Sequence, residues 1–243
     1  MRALWAQVRA ETWMTLRRGE TLLVTVGIPV VFVVFFSEVH VLPTGRVPAV
    51  TFVVPGILAL AVMSTAMVAL GSATGFERGY GVLKRLGATP LRRDRLVAAK
   101  IATVVGVELV QGAVLVPIGL GLGWRLAGAG TSVPQAVSLV LLATIAFGGV
   151  GLLLAGLLRA EVNLAATNGL YLVLLLLGGM LVPLSKLPGG LAAFARLLPA
   201  AALSSGLHAS LGGAGAVPVE SWVVLAIWSV AAPVVASLTF RWE

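Results

Sequence analysis

Apolar residues run through this chain in blocks, and polar positions collect between them. Six blocks can be read, at residues 21–37, 51–74, 97–122, 135–158, 162–183 and 221–238. A helix rises 1.5 Å per residue, so about 20 apolar residues cross the hydrocarbon layer of a bilayer. The pattern predicts an all-α integral membrane protein with six transmembrane helices, the whole of residues 1–243 forming one membrane domain. The first block is short and contains Pro29. That predicts a bend, or a start deeper in the interface.

Three stretches between the blocks have a character of their own. Within residues 1–20, Leu4, Trp5, Val8, Thr12 and Leu16 share one arc of a helical wheel, and Arg2, Arg9 and Arg17 lie outside it. This predicts an amphipathic interfacial helix. Residues 184–220 are too long for a tight turn and too apolar for a solvated loop. The pieces 191–198 and 200–211 are helix-compatible and are separated by Pro199. They predict a re-entrant hairpin, with a small extracellular cap as the alternative. Residues 75–96 form a dense basic loop.

Composition sharpens this picture. The chain is 59% hydrophobic and 11% charged, with a mean hydropathy of +1.05, which leaves too little polar surface to cover a soluble core. A net charge of +8 invites a nucleic-acid reading, but topology accounts for it. With six spans, 13 of the 17 Lys and Arg residues fall on the side of the termini and the basic loop, and four (Arg46, Arg125, Lys186 and Arg196) on the other. The positive-inside bias therefore predicts a multi-pass protein of the cytoplasmic (inner) membrane with both termini cytoplasmic and no nucleic-acid partner. Glu11 and Glu20, and the lack of a small-x-small site after the first block, argue against a cleaved signal. There is no cysteine, hence no disulfide framework or thiolate metal site.

Candidate chemistry is sparse, and no catalytic, cofactor-binding or metal residue is assigned. His40 and His208 fall in the predicted outer loops without metal-ligand spacing, and Ser204 and Ser205 near His208 make no convincing nucleophile site. Residues 75–81 carry glycines but lack the Lys-Ser/Thr of a phosphate-binding loop, so any driving ATP would be bound by another chain. Glu108 is the one acidic residue deep inside a span, with Gln111 on its face. Such a group marks a substrate or coupling path, or a hydrogen bond between helices. Asn163, Asn168 and Tyr171 in the fifth span admit the same two readings. The Gly71-x-x-x-Gly75 and Gly119-x-x-x-Gly123 spacings permit close helix approach.

The basic loop holds six of the 17 Lys and Arg residues in positions 77–95. Positive-inside anchoring explains Arg92, Arg93 and Arg95. It does not explain Glu77, the Gly79-x-Gly81 break, the apolar face of Val82, Leu83 and Leu86, or the Thr89-Pro90 turn. A compact amphipathic helix of this kind suits a groove on a soluble partner. The sequence Glu77-Arg78-x-x-Gly81-x-Leu83-Lys84-x-Leu86-x-x-Thr89-Pro90 resembles the signature loop of type-2 ATP-binding-cassette (ABC) transporter permeases, the membrane subunits of drug, antibiotic, lipid and polysaccharide exporters. Leu187-Pro188 and Ala195-Arg196-Leu197-Leu198-Pro199 are similar to the family's segment before the last span.

The resemblance implies two six-span subunits, identical or paralogous, above two ABC ATPase subunits that bind ATP and Mg. It implies a coupling helix at about residues 77–86 seated in the ATPase, with Glu77, Arg78, Gly81, Leu83, Lys84, Leu86, Thr89 and Pro90 as coupling residues. The N-terminal helix would rest near the ATPase, and the first, second and fifth spans would border the subunit interface. Pro188, Arg196 and Pro199 would belong to outer helices closing the exit. The expected function is export of a hydrophobic or amphipathic substrate by a chain with no catalysis of its own. The rival readings are an ion-driven secondary transporter, which calls for more intramembrane ionisable groups and inverted repeats, and a membrane scaffold recruiting a cytosolic protein.

Overall fold

The computed structural model describes residues 19–39, 48–87, 93–126, 132–212 and 215–239. Residues 1–18 of the expected interfacial helix, His40, Thr89 and Pro90 lie outside the described residues. Among the described residues there are nine α-helices and no strand. They are α1 (Gly19–Glu38), α2 (Ala49–Gly79), α3 (Val82–Gly87), α4 (Arg93–Gly121), α5 (Val133–Leu157), α6 (Ala160–Leu177), α7 (Gly189–Arg196), α8 (Pro199–Leu211) and α9 (Val219–Thr239). A short 3-10 turn, Leu184–Lys186, precedes α7.

Helices α2, α4, α5, α6 and α9 are each long and apolar enough to cross a bilayer. Helix α1 is 20 residues long, and its stretch Thr25–Glu38 is a shorter apolar helix, so by length and composition the described residues hold five spans, or six if the bent α7–α8 pair is one. Helices α7 and α8 meet at an 87° bend. Two boundaries differ from the sequence pattern in an informative way. The second apolar block ends near Thr74, but α2 continues to Gly79 and carries Glu77 and Arg78 with it. The fifth block runs to Pro183, but α6 stops at Leu177 because Gly179 turns the chain with φ of +69°, a conformation suited to glycine.

Helix α2 is the most enclosed of these spans and α6 the least. Val53, Val54, Ile57, Met63 and Met67 of α2 are fully buried, and the helix packs against α1, α4, α5 and α8. Lipid tails are as apolar as side chains, so helix association in a membrane rests on close packing and hydrogen bonds. Small residues supply the packing here. A Cβ added at Gly71 would lie 3.0 Å from the Gly151 carbonyl oxygen, and one at Gly151 would lie 2.5 Å from that of Met67. On the opposite face of α5, a Cβ at Gly149 would meet the Pro233 nitrogen of α9 at 2.5 Å. Of the two glycine spacings, Gly71-x-x-x-Gly75 contacts α5 and α6. In the other, Gly119 packs on Val54, while Gly123 (φ +89°) serves the turn after α4.

Midway along α2, Ser64–Ala69 widens into a π-helical turn. At the Ala49 end of α2, α8 is a core element and not a surface cap. Ala200, Ala201, Ala202, Leu203 and Leu207 are all buried. The alanine-rich start allows this, since Ala200 packs where Gly178 ends α6. Trp228 Nε1 of α9 donates to the Leu197 carbonyl (3.0 Å) at the α7–α8 bend.

Replacing Gly151 by Leu is expected to separate α2 from α5 and to cost about 1–3 kcal/mol. Gly106→Ala, where an added Cβ meets nothing within 4 Å, should be neutral. Thermal unfolding of both variants in detergent checks this, and equal melting temperatures would remove the close approach as a determinant of the fold.

Candidate functional site

The Gly79 end of α2 is a fixed root. Glu77 Oε2 pairs with Lys100 Nζ of α4 at 2.7 Å. The Lys100 side chain is only 3% exposed and that of Glu77 is 34% exposed. Arg78 reaches the other way, its Nη1 donating to the carbonyls of Ala155 (2.9 Å) and Gly156 (2.5 Å). These lie in the last turn of α5, where carbonyls lack intrahelical partners and the helix dipole favours a cation. The adjacent acidic and basic residues thus tie α2 to two neighbouring helices.

From this root the chain breaks and re-forms a helix. Tyr80 caps α2, and Gly81 takes φ of +69°. Helix α3 follows at once, with Arg85 N donating to the Gly81 carbonyl. The single coupling helix expected at residues 77–86 is therefore two pieces, with Glu77 and Arg78 in α2 and Leu83, Lys84 and Leu86 in α3. Leu83 is fully buried within its own chain, so it does not belong to a partner-facing surface. Among the described side chains here, Tyr80, Val82, Lys84 and Arg85 are exposed, and the Tyr80 ring stacks on Phe76.

Glu108 and Gln111 lie in the middle of the bundle. Both are buried and both line a cavity of about 320 Å³ between α2, α4, α5 and α8. Thr144 Oγ1 of α5 donates to Glu108 Oε2 (2.5 Å), while Glu108 Oε1 has no partner. Gln111 is saturated. Its Nε2 donates to the Thr25 carbonyl of α1 (2.9 Å) and to Thr65 Oγ1 (3.0 Å), and its Oε1 lies 3.2 Å from the same hydroxyl. Thr65 belongs to the π turn of α2. Gln111 therefore joins three helices, and Glu108 lines the cavity with one carboxyl oxygen buried and without a partner.

The fifth-span residues form no common site with these two. Asn163 is fully buried and donates from Nδ2 to the Gly71 carbonyl (2.8 Å), an α6–α2 bond. Asn168 donates to the Leu164 carbonyl of its own helix (2.7 Å). Tyr171 packs half-buried against the core. Exposed Leu172, Val173 and Leu176 leave much of α6 without neighbours in this chain, in contrast to α2. Of the three spans expected to border a subunit interface, α2 is largely enclosed, whereas α6 and α1, with Ile28, Val31 and Phe35 exposed, keep faces that this chain does not cover.

At the opposite end, Pro188 precedes α7, Arg196 ends it, and Pro199 opens α8 at its first position, where a missing N–H is harmless. Arg196 lines a shallow cavity with Ser205 and Glu220. His208 lies in α8, within the piece 200–211 expected to be helical, and is held against α2. Its Nε2 lies 3.0 Å from the Phe52 carbonyl of α2, its Nδ1 2.7 Å from the Ser204 carbonyl, and its ring packs on Phe52. It is a helix-to-helix contact. Among the described residues no group of acidic residues or histidines could hold a metal ion.

Sequence reading missed Lys100 and Thr144. Lys100 enters the sequence argument only as one of the 13 charges on the side of the termini, yet a lysine already inside the apolar block 97–122 signals a nearby carboxylate. Thr144 carried no signal, because its meeting with Glu108 depends on how α4 and α5 pack.

The ABC-2 type transporter family model matches residues 2–211. No curated protein matches the chain. The matched stretch includes both the α2–α3 root and the Glu108 cavity, so the chain belongs to the ABC-2 type transporter family and is a multi-pass membrane permease subunit, not itself catalytic, that works with an ABC ATPase.

Proposed function

We propose that this chain is the permease of an exporter that moves a hydrophobic or amphipathic molecule out of the cytoplasm or inner leaflet, with ATP and Mg bound by two copies of the ATPase subunit. The observation that carries this is the α2–α3 root. A short basic helix stands on a glycine joint, and the helix beneath it is tied to two others by Glu77–Lys100 and by Arg78 on the end of α5. In this reading Tyr80, Val82, Lys84 and Arg85 meet the ATPase, Thr89 and Pro90 belong to the same coupling segment, and force passes into α2, α4 and α5 as one body. Lys and Arg asymmetry supports a cytoplasmic position for this end and for both termini. The bare face of α6 supports a second permease subunit, identical or paralogous. Apolar cavity walls support an apolar cargo, and the helices at the α7–α8 bend stand where an exit would close.

Docking and transmission separate by mutation. Lys84→Glu with Arg85→Glu is expected to cut co-purification of the ATPase by about tenfold, which corresponds to about 1.4 kcal/mol, with unchanged thermal stability of the permease. Retained binding would place docking elsewhere.

Lys100→Met acts after docking. The ATPase should still co-purify and hydrolyse ATP, while export into proteoliposomes falls about tenfold; coupled export at the wild-type level would refute transmission through the root. Leu83→Asp is expected to destabilise the permease by about 3 kcal/mol or more, because it buries an unpaired charge. Its melting temperature, measured without ATPase, checks that.

A further inference from the structure

The Glu108 cavity has walls chosen for an apolar guest and one group that no wall satisfies. Leu58, Val62, Val116, Val140 and Leu207 surround it. Glu108 is 8% exposed, and its Oε1 has no hydrogen-bond partner. Gln111, the nearest polar side chain on the same helix face, is fully engaged by Thr25 and Thr65. Thr144 reaches only Oε2. The free carboxyl oxygen lacks a donor, and an ammonium group is a donor that would also stabilise the ionised form of the carboxyl on binding.

The cavity is approachable along α4. A second apolar groove of about 470 Å³ runs between α4, α5 and α9, from Val97 and Ser237 to Val105 and Leu141, and those last two residues also wall the Glu108 cavity. The two spaces share a border, so an apolar body passing from the α3 end along α4 meets Glu108 next. Beyond it, Trp124 lines the cavity with its Nε1 also unpartnered. A Cβ added at Gly112, on the cavity wall, meets nothing within 4 Å, so the space there is real.

We propose that this cavity within a single subunit binds a lipophilic amine, its ammonium on Glu108 and its apolar body between α2, α4 and α5. The transport meaning of the site rests on the exporter reading, and the binding itself does not. The full chain, purified without ATPase in nanodiscs, is titrated with 1-pyrenemethylamine and with its neutral isostere 1-pyrenemethanol, and fluorescence is corrected against empty nanodiscs. Wild type is expected to prefer the amine by at least about tenfold, as for a charge-assisted hydrogen bond. Glu108→Gln should abolish that preference and leave alcohol binding within about twofold. Gly112→Phe, which fills the cavity from an unobstructed position, should weaken both probes by at least about tenfold. Amine preference surviving Glu108→Gln, or Gly112→Phe binding like wild type, would overturn the site. Loss of ATPase association in a chain that still shows the Glu108-dependent preference would instead remove the exporter reading and leave the site standing.

Discussion

The arrangement depends on two backbones touching. Helix α2 can be surrounded by its own chain only because α5 comes close enough for Gly151 to rest on the Met67 and Gly71 backbone. In hydrocarbon there is no water to expel, so a helix gains from enclosure only through dispersion contacts and hydrogen bonds at short range. The glycines provide that range. Once α5 lies against α2, Asn163 can reach the Gly71 carbonyl from α6, and Arg78 can reach the carbonyls at the end of α5. The polar bonds depend on the apolar fit.

Charge in this protein is used in two ways. At the α3 end it ties helices together, with Glu77 and Arg78 pulling in different directions from adjacent positions. In the interior a single carboxyl, Glu108, is held by one oxygen and free at the other. The contrast is physical. An ion pair whose carboxylate is one-third exposed keeps part of its hydration, whereas a group buried among leucines and valines must find its partner from inside the bundle or from a guest.

The six apolar blocks were legible because length and hydropathy alone define a span. The proline at position 199 and the apolar pieces around it foretold a bent pair. The α2–α3 motif was legible as a pattern but not as a surface. An amphipathic face looks the same whether it meets a partner or its own chain, and Leu83 turned out to meet its own chain. The extension of α2 through Glu77 and Arg78 was hidden, because hydropathy falls where the lipid ends and not where the helix ends. Lys100 and Thr144 were missed because a charge pair 23 residues apart and a hydroxyl 36 residues from its carboxyl depend on packing geometry that no local spacing encodes.

The π turn at Ser64–Ala69 sets the angular phase of everything after it. Each residue of an α-helix advances the chain by about 100°, and a π turn accommodates one residue more than the α spacing would. Deleting a residue there would leave a smooth helix of nearly the same length. It would also swing Gly71, Gly75, Glu77 and Arg78 about a quarter turn away from α5, α6 and α4. Within those six residues a single codon gained or lost would therefore uncouple the Gly79 end of α2 from the helices that its Ala49 end leaves in place.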